Sequence, residues 1–246
     1  MPVVSLVPSA ITVLALLAGL TSIGFSLDGK WGLAVFSIVV AAICDGLDGS
    51  MARLLNSSSR FGAELDSLSD FLSFGVAPAL LLFEWTMNDA RGIGWAAVLI
   101  FATCGALRLA RFNSEIEADE PPPAWTARFF TGVPAPAGGA VAMLMLFAFH
   151  ATDLEFFRSP LLNAFWLIVV GFLMVSRVPT WSVKKARLRN DLVVPAMVIL
   201  VLVTVALISF PWQSMAVFGL AYLSSIPLAV RAAARARTEE SESGTD

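Results

Sequence analysis

Charged side chains are scarce in this sequence of 246 residues, because Lys, Arg, Asp and Glu together make up only 14% of it. Soluble domains usually contain about 25% charged residues, whereas 57% of this chain is hydrophobic. The deficit excludes a disordered chain, a nucleic-acid-binding domain and almost any soluble enzyme of this length. The net charge of −3 also provides no general attraction for a nucleic acid or another polyanionic partner.

Cysteine and histidine are rare as well, which limits the kinds of site the chain can build. Cys44 and Cys104 both lie inside apolar runs, outside any C-x-x-C or Cys/His metal pattern. The single histidine, His150, falls at the end of another apolar run. We therefore interpret the cysteines as buried apolar residues and expect no catalytic role for His150.

Long apolar runs recur from end to end, and the mean hydropathy is +0.79. A membrane-spanning helix needs about 20 mostly apolar residues. On that template the sequence contains eight candidates: 8–26, 32–54, 66–87, 93–113, 133–150, 161–178, 192–210 and 213–232. The sequence thus predicts an all-α, polytopic membrane helix bundle of about eight helices over residues 1–233, followed by a disordered polar tail over 234–246.

The positions of Lys and Arg predict the orientation of these spans, because cytoplasmic loops collect both residues. With eight spans, the even-numbered loops and the C-terminus share one side. Of the 16 basic residues, the other side holds Lys30, Arg91 and Arg158, and the remainder fall on the shared side. We therefore expect both termini to be cytoplasmic and the protein to lie in the inner (cytoplasmic) membrane.

Four aspartates interrupt the second and third spans. Asp45 and Asp48 lie three positions apart, and Asp66 and Asp70 four positions apart, so each pair lies on one helix face. A charged side chain near the bilayer centre costs about 2.5–3.5 kcal/mol on insertion scales, so the group must be compensated. Oxygen ligands alone suit hard divalent cations, and four carboxylates carry enough charge for two Mg²⁺ or Mn²⁺ ions.

Small residues accompany the aspartates. Gly49 and Ala52 share the face of Asp45 and Asp48, and Gly62 precedes Asp66 by one turn. Such a face lets a ligand approach the backbone closely, although small residues on membrane helices also serve as packing surfaces. The cluster could accordingly hold a metal-bound diphosphate near Arg53, or it could form the ion pathway of a transporter.

The aspartates and small residues together read D-x2-D-G-x2-A-R-x8-G-x3-D-x3-D from Asp45 to Asp70. This pattern resembles the signature of the CDP-alcohol phosphotransferase family, with every specified residue present. Further blocks resemble the integral-membrane phosphatidylserine synthase branch of that family. They are Pro8–Thr12, Phe74–Ala79, Leu107–Asn113 and Gly132–Ala137.

The resemblance implies transfer of a phosphatidyl group from CDP-diacylglycerol to the hydroxyl of L-serine, with release of CMP. Asp45, Asp48 and Asp66 would be ligands of two divalent cations, and Asp70 would be the general base that also touches a metal. The donor would lie against Gly49, Ala52, Arg53 and Gly62. The last three spans match no motif and are interpreted as scaffold.

The acceptor is the less specific part of this prediction. Serine carries a carboxylate, and Arg108 and Arg111 at the inner end of the fourth span are candidates to bind it. The same arginines could instead be topological anchors. Glycerol 3-phosphate, inositol phosphate or choline remain alternative acceptors, and an acidic-cluster cation transporter is the alternative from a different class. Membrane lipids are expected partners, and a homodimer is compatible with a sequence that does not itself specify the oligomeric state.

Overall fold

Helices follow one another along almost the whole chain in the computed structural model, which describes residues 6–55, 57, 59–90, 92–116, 129–181 and 193–243. Two antiparallel strands and short 3₁₀ and π segments lie between them. Within the described residues the α-helices are α1 (Leu6–Leu27), α2 (Trp31–Leu54), α3 (Arg60–Asp70), α4 (Ala77–Trp85), α5 (Gly92–Ile116), α6 (Ala135–Ala142), α7 (Leu144–Thr152), α8 (Pro160–Val175), α9 (Val193–Ser209) and α10 (Pro211–Ser243).

Six of the helical segments in the described chain are long and apolar enough to cross a membrane. They are Leu6–Leu27, Trp31–Leu54, Arg60–Trp85, Gly92–Ser114, Ala135–Thr152 and Pro211–Ala236. Two further apolar helices, Pro160–Val175 and Pro195–Ser209, are shorter. The prediction of a helical, membrane-spanning protein is confirmed, and each predicted span overlaps one of these segments. A count of eight crossings and the side of the termini stay predictions.

The third long segment contains a π turn over Phe71–Val76, between α3 and α4. Pro78 has no backbone N–H to donate to the carbonyl four residues earlier, so the regular α-helical pattern cannot continue through it. The Ala77 N–H instead bonds the Leu72 carbonyl, a spacing of five residues. The wider turn lets the helix pass Pro78 without ending, and it lies one residue after Asp70.

α1 packs closely against both α2 and the third segment. The hydroxyl of Ser69 donates to the Thr12 carbonyl and that of Ser73 to the Ala15 carbonyl, both at 3.3 Å. Gly19 lies one turn further along, where a β-carbon would collide with Ser73. Small residues therefore allow the backbones to approach, and the serines lock the rotation of α3 relative to α1.

A short ribbon joins the ends of α5 and α8, which the sequence did not predict. β1 (Phe129–Thr131) pairs antiparallel with β2 (Pro179–Trp181), with Phe130 opposite Thr180. Gly132 follows β1 with φ of +78°, and a β-carbon there would meet the Ser176 carbonyl at 2.8 Å. Only glycine fits this close approach.

α10 extends into the region 234–246, for which the disordered polar tail stays a prediction. The helix continues to Ser243, while residues 244–246 lie outside the described part of the chain. Alanine and arginine, which dominate Arg231–Arg237, have high helix propensities. Extending an existing helix also avoids the cost of nucleation.

Candidate functional site

Three of the four predicted carboxylates meet where α2 approaches α3. Asp45 and Asp48 come from α2 and Asp66 from α3, and one carboxylate oxygen of each lies within 4.8 Å of the other two. Asp70, one turn after Asp66 on the same helix, is not a member of this close group. The four aspartates therefore divide into a triad and a neighbouring carboxylate.

The local sequence explains how the triad is assembled. Ser59 caps α3, accepting a hydrogen bond of 3.0 Å from the Gly62 N–H. This cap sets the start of α3 directly after the turn that leaves α2, so Asp66 returns towards Asp48. The triad therefore requires only the regular helical spacing of residues in α2 and α3 and a short connection between these two helices.

Thr12 from α1 completes the support of Asp48. Its hydroxyl lies 2.5 Å from Asp48 Oδ2 and 3.1 Å from the Pro8 carbonyl. A hydroxyl has one proton, and the negatively charged acceptor is the stronger of the two. Thr12 is 3% exposed and Asp48 4% exposed, so this bond holds one carboxylate oxygen in a fixed direction away from water.

The triad fits a divalent cation by its own chemistry. Asp66 Oδ1 is buried, and no group in the described part of the chain hydrogen-bonds to it. Ionised carboxylates offer only acceptor oxygens, so their proximity is unfavourable until a cation lies among them. Oxygen ligands of this kind suit Mg²⁺, Mn²⁺ or Ca²⁺, and the residues present could therefore hold such an ion.

A cleft of about 140 Å³ opens beside the triad. Asp48 and Asp66 form part of its wall, together with the predicted donor-binding residues Gly49, Ala52 and Gly62. Sequence reasoning did not assign six further lining residues to a site: Pro8, Ser9, Thr12, Ser57, Ser59 and Ala63. For Pro8, Ser9 and Thr12, the available signal was the resemblance of the block Pro8–Thr12 to the family. The block carries no charged group, so the resemblance alone did not indicate a site.

Glycine at position 49 keeps this cleft open and is not required by the fold. A β-carbon there would meet only Arg53 Nη1, at 3.8 Å. Arg53 also donates from Nη2 to Ser50 Oγ at 3.3 Å, so its guanidinium lies along the edge of the glycine-lined wall. This wall of the cleft thus combines open space with the positively charged guanidinium of Arg53 beside it.

Asp70 also has a basic neighbour, Arg108 of α5. Arg108 is only 8% exposed, and its guanidinium attracts the Asp70 carboxylate. Asn113, further along α5, donates to Ser67 Oγ at 2.9 Å. Because Ser67 lies between Asp66 and Asp70, this bond fixes the α3 carboxylates relative to α5.

Arg111 occupies a different position from Arg108. Its Nη1 donates to the Val175 carbonyl at 2.8 Å and its Nη2 to the Ser176 carbonyl at 3.3 Å. These carbonyls end α8, where cations are favoured. Arg111 therefore joins α5 to the end of α8 and supports the ribbon.

Comparison with known proteins agrees with the motif and the geometry. The model of the CDP-alcohol phosphatidyltransferase family matches residues 5–178, and a second model, CDP-alcohol phosphatidyltransferase 2, matches residues 191–227. The chain is 40% identical over 227 residues to the CDP-diacylglycerol–serine O-phosphatidyltransferase of Mycobacterium tuberculosis, covering 92% of this chain and 78% of the relative.

Two more distant relatives bear the same name. The Helicobacter pylori protein is 32% identical over 218 residues, covering 89% of this chain and 88% of the relative. The Bacillus subtilis protein is 32% identical over 184 residues, covering 75% and 94%. From the family match, its extent and the carboxylate triad, this chain belongs to the CDP-alcohol phosphatidyltransferase family.

Proposed function

We propose that this protein transfers the phosphatidyl group of CDP-diacylglycerol to the hydroxyl of L-serine, forming phosphatidylserine and CMP. The observation that carries the proposal is the Asp45–Asp48–Asp66 triad beside a glycine-lined cleft. Relatives named for this activity align with most of the chain. No observation favours the cation transporter.

Asp45, Asp48 and Asp66 would hold two divalent cations, Mg²⁺ or Mn²⁺, with Thr12 orienting Asp48. When bound, such ions neutralise charge on the diphosphate and on the leaving CMP. Asp70 would lie close enough to touch one of them, although it stands outside the close triad.

The donor would lie in the cleft against Gly49, Ala52 and Gly62, with Arg53 near its phosphates. Large apolar side chains on α2 and α3, the helices that carry the triad, are exposed: Leu47, Leu54, Phe61 and Leu68. The acyl chains could therefore remain among lipids while only the head group enters the cleft. Little desolvation of the lipid would be needed.

Asp70 would act as the general base. It accepts the proton of the serine hydroxyl as that oxygen bonds to the phosphorus next to diacylglycerol, and the bond to CMP breaks. A position outside the triad suits this role, because the base must face the acceptor. Most of the acceleration in phosphoryl transfer comes from positioning and charge stabilisation.

Arg108 would receive the carboxylate of serine. It is buried and adjoins Asp70, so an acceptor held there would present its hydroxyl to the base. Arg111 was an equal candidate in the sequence, and its donation to the end of α8 favours a supporting role.

A direct test uses protein purified in detergent with CDP-diacylglycerol, Mn²⁺ and a panel of alcohols, following CMP release and the lipid product. We expect serine to give the highest turnover and a serine-containing phospholipid. Equal or better turnover with glycerol 3-phosphate, inositol phosphate or choline would reject serine as the acceptor and leave the family unchanged.

We further propose an active site that faces the cytoplasm from the inner membrane, with eight crossings and cytoplasmic termini. Ser57 lines the cleft and belongs to a connection that the distribution of Lys and Arg predicts to be cytoplasmic. A single cysteine at Ser57 should resist an impermeant thiol reagent in intact cells and react after permeabilisation. Labelling in intact cells would invert the orientation.

A further inference from the structure

The block Phe74–Ala79 resembles the family, yet none of its residues lines the cleft beside the triad. It joins α4 to α3 and contains the second half of the π turn. In that turn the Ala77 N–H bonds the Leu72 carbonyl, five residues back instead of four. The turn therefore holds one residue more than an α-helical turn, which changes the direction of every side chain on its far side by about 100°.

This rotation decides which side chains of α3 share the buried face of α4. That face contains Pro78, Leu81 and Trp85, which recur at helical spacing. Continued back through α3 at about 100° per residue without the extra residue, the face would include Arg60 and Ser67. Arg60 is instead exposed in the structure. A helix without the π turn would therefore direct this charged side chain towards the bundle.

With the extra residue counted, the same face continues through the side chains of the site. It then includes the two carboxylates of α3 and two cleft residues near its start: Ser59, Gly62, Asp66 and Asp70. Ser69 lies at the edge of this face and is 3% exposed, as the shifted count requires. Without the π turn Asp66 would point about 100° away from its present direction and would leave the triad.

The neighbouring helices leave room for the wide turn, and Pro78 prevents a return to the narrow one. Glycines face the turn from α5 and α6. A β-carbon at Gly105 would lie 3.5 Å from Gly75 Cα, and one at Gly139 would lie 3.1 Å from the Phe74 carbonyl oxygen. A regular α-helix would need an N–H at position 78 to bond the Phe74 carbonyl, and proline has none.

We propose that Pro78, acting through the π turn, is a positioning residue that holds Asp66 and Asp70 on the inner face of α3. Pro78 does not line the cleft, but it sets the direction in which both carboxylates point. The inference rests on the proposed function, because it concerns the carboxylates assigned there to metal binding and base catalysis. It gives the block Phe74–Ala79 a role in building the site.

The test removes first the proline and then the extra residue. In Pro78→Ala the restored N–H allows a regular α-helix, which rotates α3 and takes Asp66 out of the triad. We expect the affinity for Mn²⁺, measured by equilibrium binding in detergent, to fall by about 10–100-fold, the usual effect of losing a group that orients metal ligands. Turnover with serine should fall at least as far.

Deletion of Gly75 from the Pro78→Ala variant removes the extra residue, so a regular α-helix then keeps Asp66 and Asp70 on the inner face. This double variant should recover most of the Mn²⁺ affinity and the turnover. A role of Pro78 in stability alone would not be rescued by a further deletion. Pro227→Ala is the matched control, because Pro227 also lies inside a long apolar helix, α10, and should leave the Mn²⁺ affinity unchanged.

Each other outcome rejects something definite. Unchanged Mn²⁺ affinity in Pro78→Ala would overturn the role of Pro78, and so would a double variant that binds Mn²⁺ no better than Pro78→Ala. A Pro78→Ala protein without a melting transition would have lost Mn²⁺ by unfolding, which also overturns the inference. If the Mn²⁺ affinities are as expected but wild type forms no product with serine, the proposed function is rejected while the role of Pro78 is supported.

Discussion

Two polar regions of the bundle, one along the cleft and one beside Asp70, are built by the chain in different ways. The donor wall comes from α1, α2 and α3, where the triad residues Asp45, Asp48 and Asp66 lie in consecutive helices. The proposed acceptor wall comes from α5, where the buried Arg108 acts on Asp70 of α3 although the two residues are far apart in the sequence. One wall follows from local spacing, and the other exists only after the bundle has assembled.

The difference suggests how one family can serve several alcohols. In the proposed function, the carboxylates and glycines of the donor wall would act on groups common to every CDP-alcohol, so their spacing leaves a readable signature. The acceptor wall depends on single side chains from separate helices. Changing one of these would alter the acceptor without disturbing the donor chemistry.

The largest effects are expected from two substitutions that distinguish a triad residue, Asp66, from the proposed base, Asp70. Asp66→Asn and Asp70→Asn should each lower turnover by about 10²–10⁴-fold. Asp70→Asn should keep more CDP-diacylglycerol binding in the presence of Mn²⁺, because Asp70 stands outside the triad. Equilibrium binding and CMP release measured on the same preparations check this.

Glu64→Gln provides the control for that pair, since Glu64 is an exposed acid on α3. The Glu64→Gln variant should retain activity, and a chelator should abolish that activity as it does in wild type. Nearly full activity in Asp70→Asn would end its assignment as base. Loss of metal and donor binding as complete as in Asp66→Asn would make Asp70 a ligand instead.

A smaller effect tests whether α1 belongs to the donor wall. Thr12→Val keeps the shape of the side chain but removes the hydrogen bond to Asp48. Bonds that orient metal ligands contribute about 10–100-fold to affinity or activity, so the apparent affinity for Mn²⁺ should fall by that amount. Titration of CMP release with Mn²⁺ provides the measurement.

Thr12→Ser should restore most of the Mn²⁺ affinity, because it returns the donor. Thr21→Val is the matched control, since the Thr21 hydroxyl bonds only the Leu17 carbonyl of the same helix and is exposed. If Thr12→Val and Thr21→Val behaved alike, Thr12 would have no part in positioning Asp48.

The space in the donor wall can be tested by a steric substitution, for which we expect a change of about tenfold in the KM for CDP-diacylglycerol. Gly49→Ala adds a methyl group that meets only Arg53 Nη1, so the fold should tolerate it. The methyl group would project into the cleft and should raise the KM for CDP-diacylglycerol by about tenfold, within the usual cost of overpacking.

Gly46→Ala makes the same change where a β-carbon meets nothing within 4 Å. It should leave the KM for both substrates unchanged, which separates a steric effect from a change in helix propensity. An unaltered KM in Gly49→Ala would show that the donor does not contact this wall.

The smallest effect on catalysis is expected at Arg111, at the edge of the acceptor wall. Arg111→Ala should lower the free energy of unfolding by about 1.5–3 kcal/mol, the usual value of hydrogen bonds to a charged group. The melting temperature in detergent should fall by several degrees, whereas Arg177→Ala, an exposed neighbour, should leave it unchanged. A higher KM for serine at unchanged melting temperature would instead place Arg111 in the acceptor pocket.

Much of the donor wall was predictable from local sequence. Helix periodicity puts Asp45 beside Asp48, and the short connection before Ser59 returns Asp66 to them. Thr12 was less predictable, because a threonine in an apolar helix usually bonds its own backbone. Nothing in the order of residues indicates that its hydroxyl points at a carboxylate on the next helix.

The sequence by itself determined the helical membrane class, the aspartate pattern and the family, because hydropathy and spacing are properties of neighbouring residues. It did not indicate that α10 continues to Ser243, since polar composition conceals the helix propensity of alanine and arginine. Only the tertiary structure decided that Arg111 supports α8, that β1 pairs with β2, and that Thr12 donates to Asp48. Those relations depend on how separate helices rotate and pack against one another, and packing is set by long-range contacts that no local pattern records.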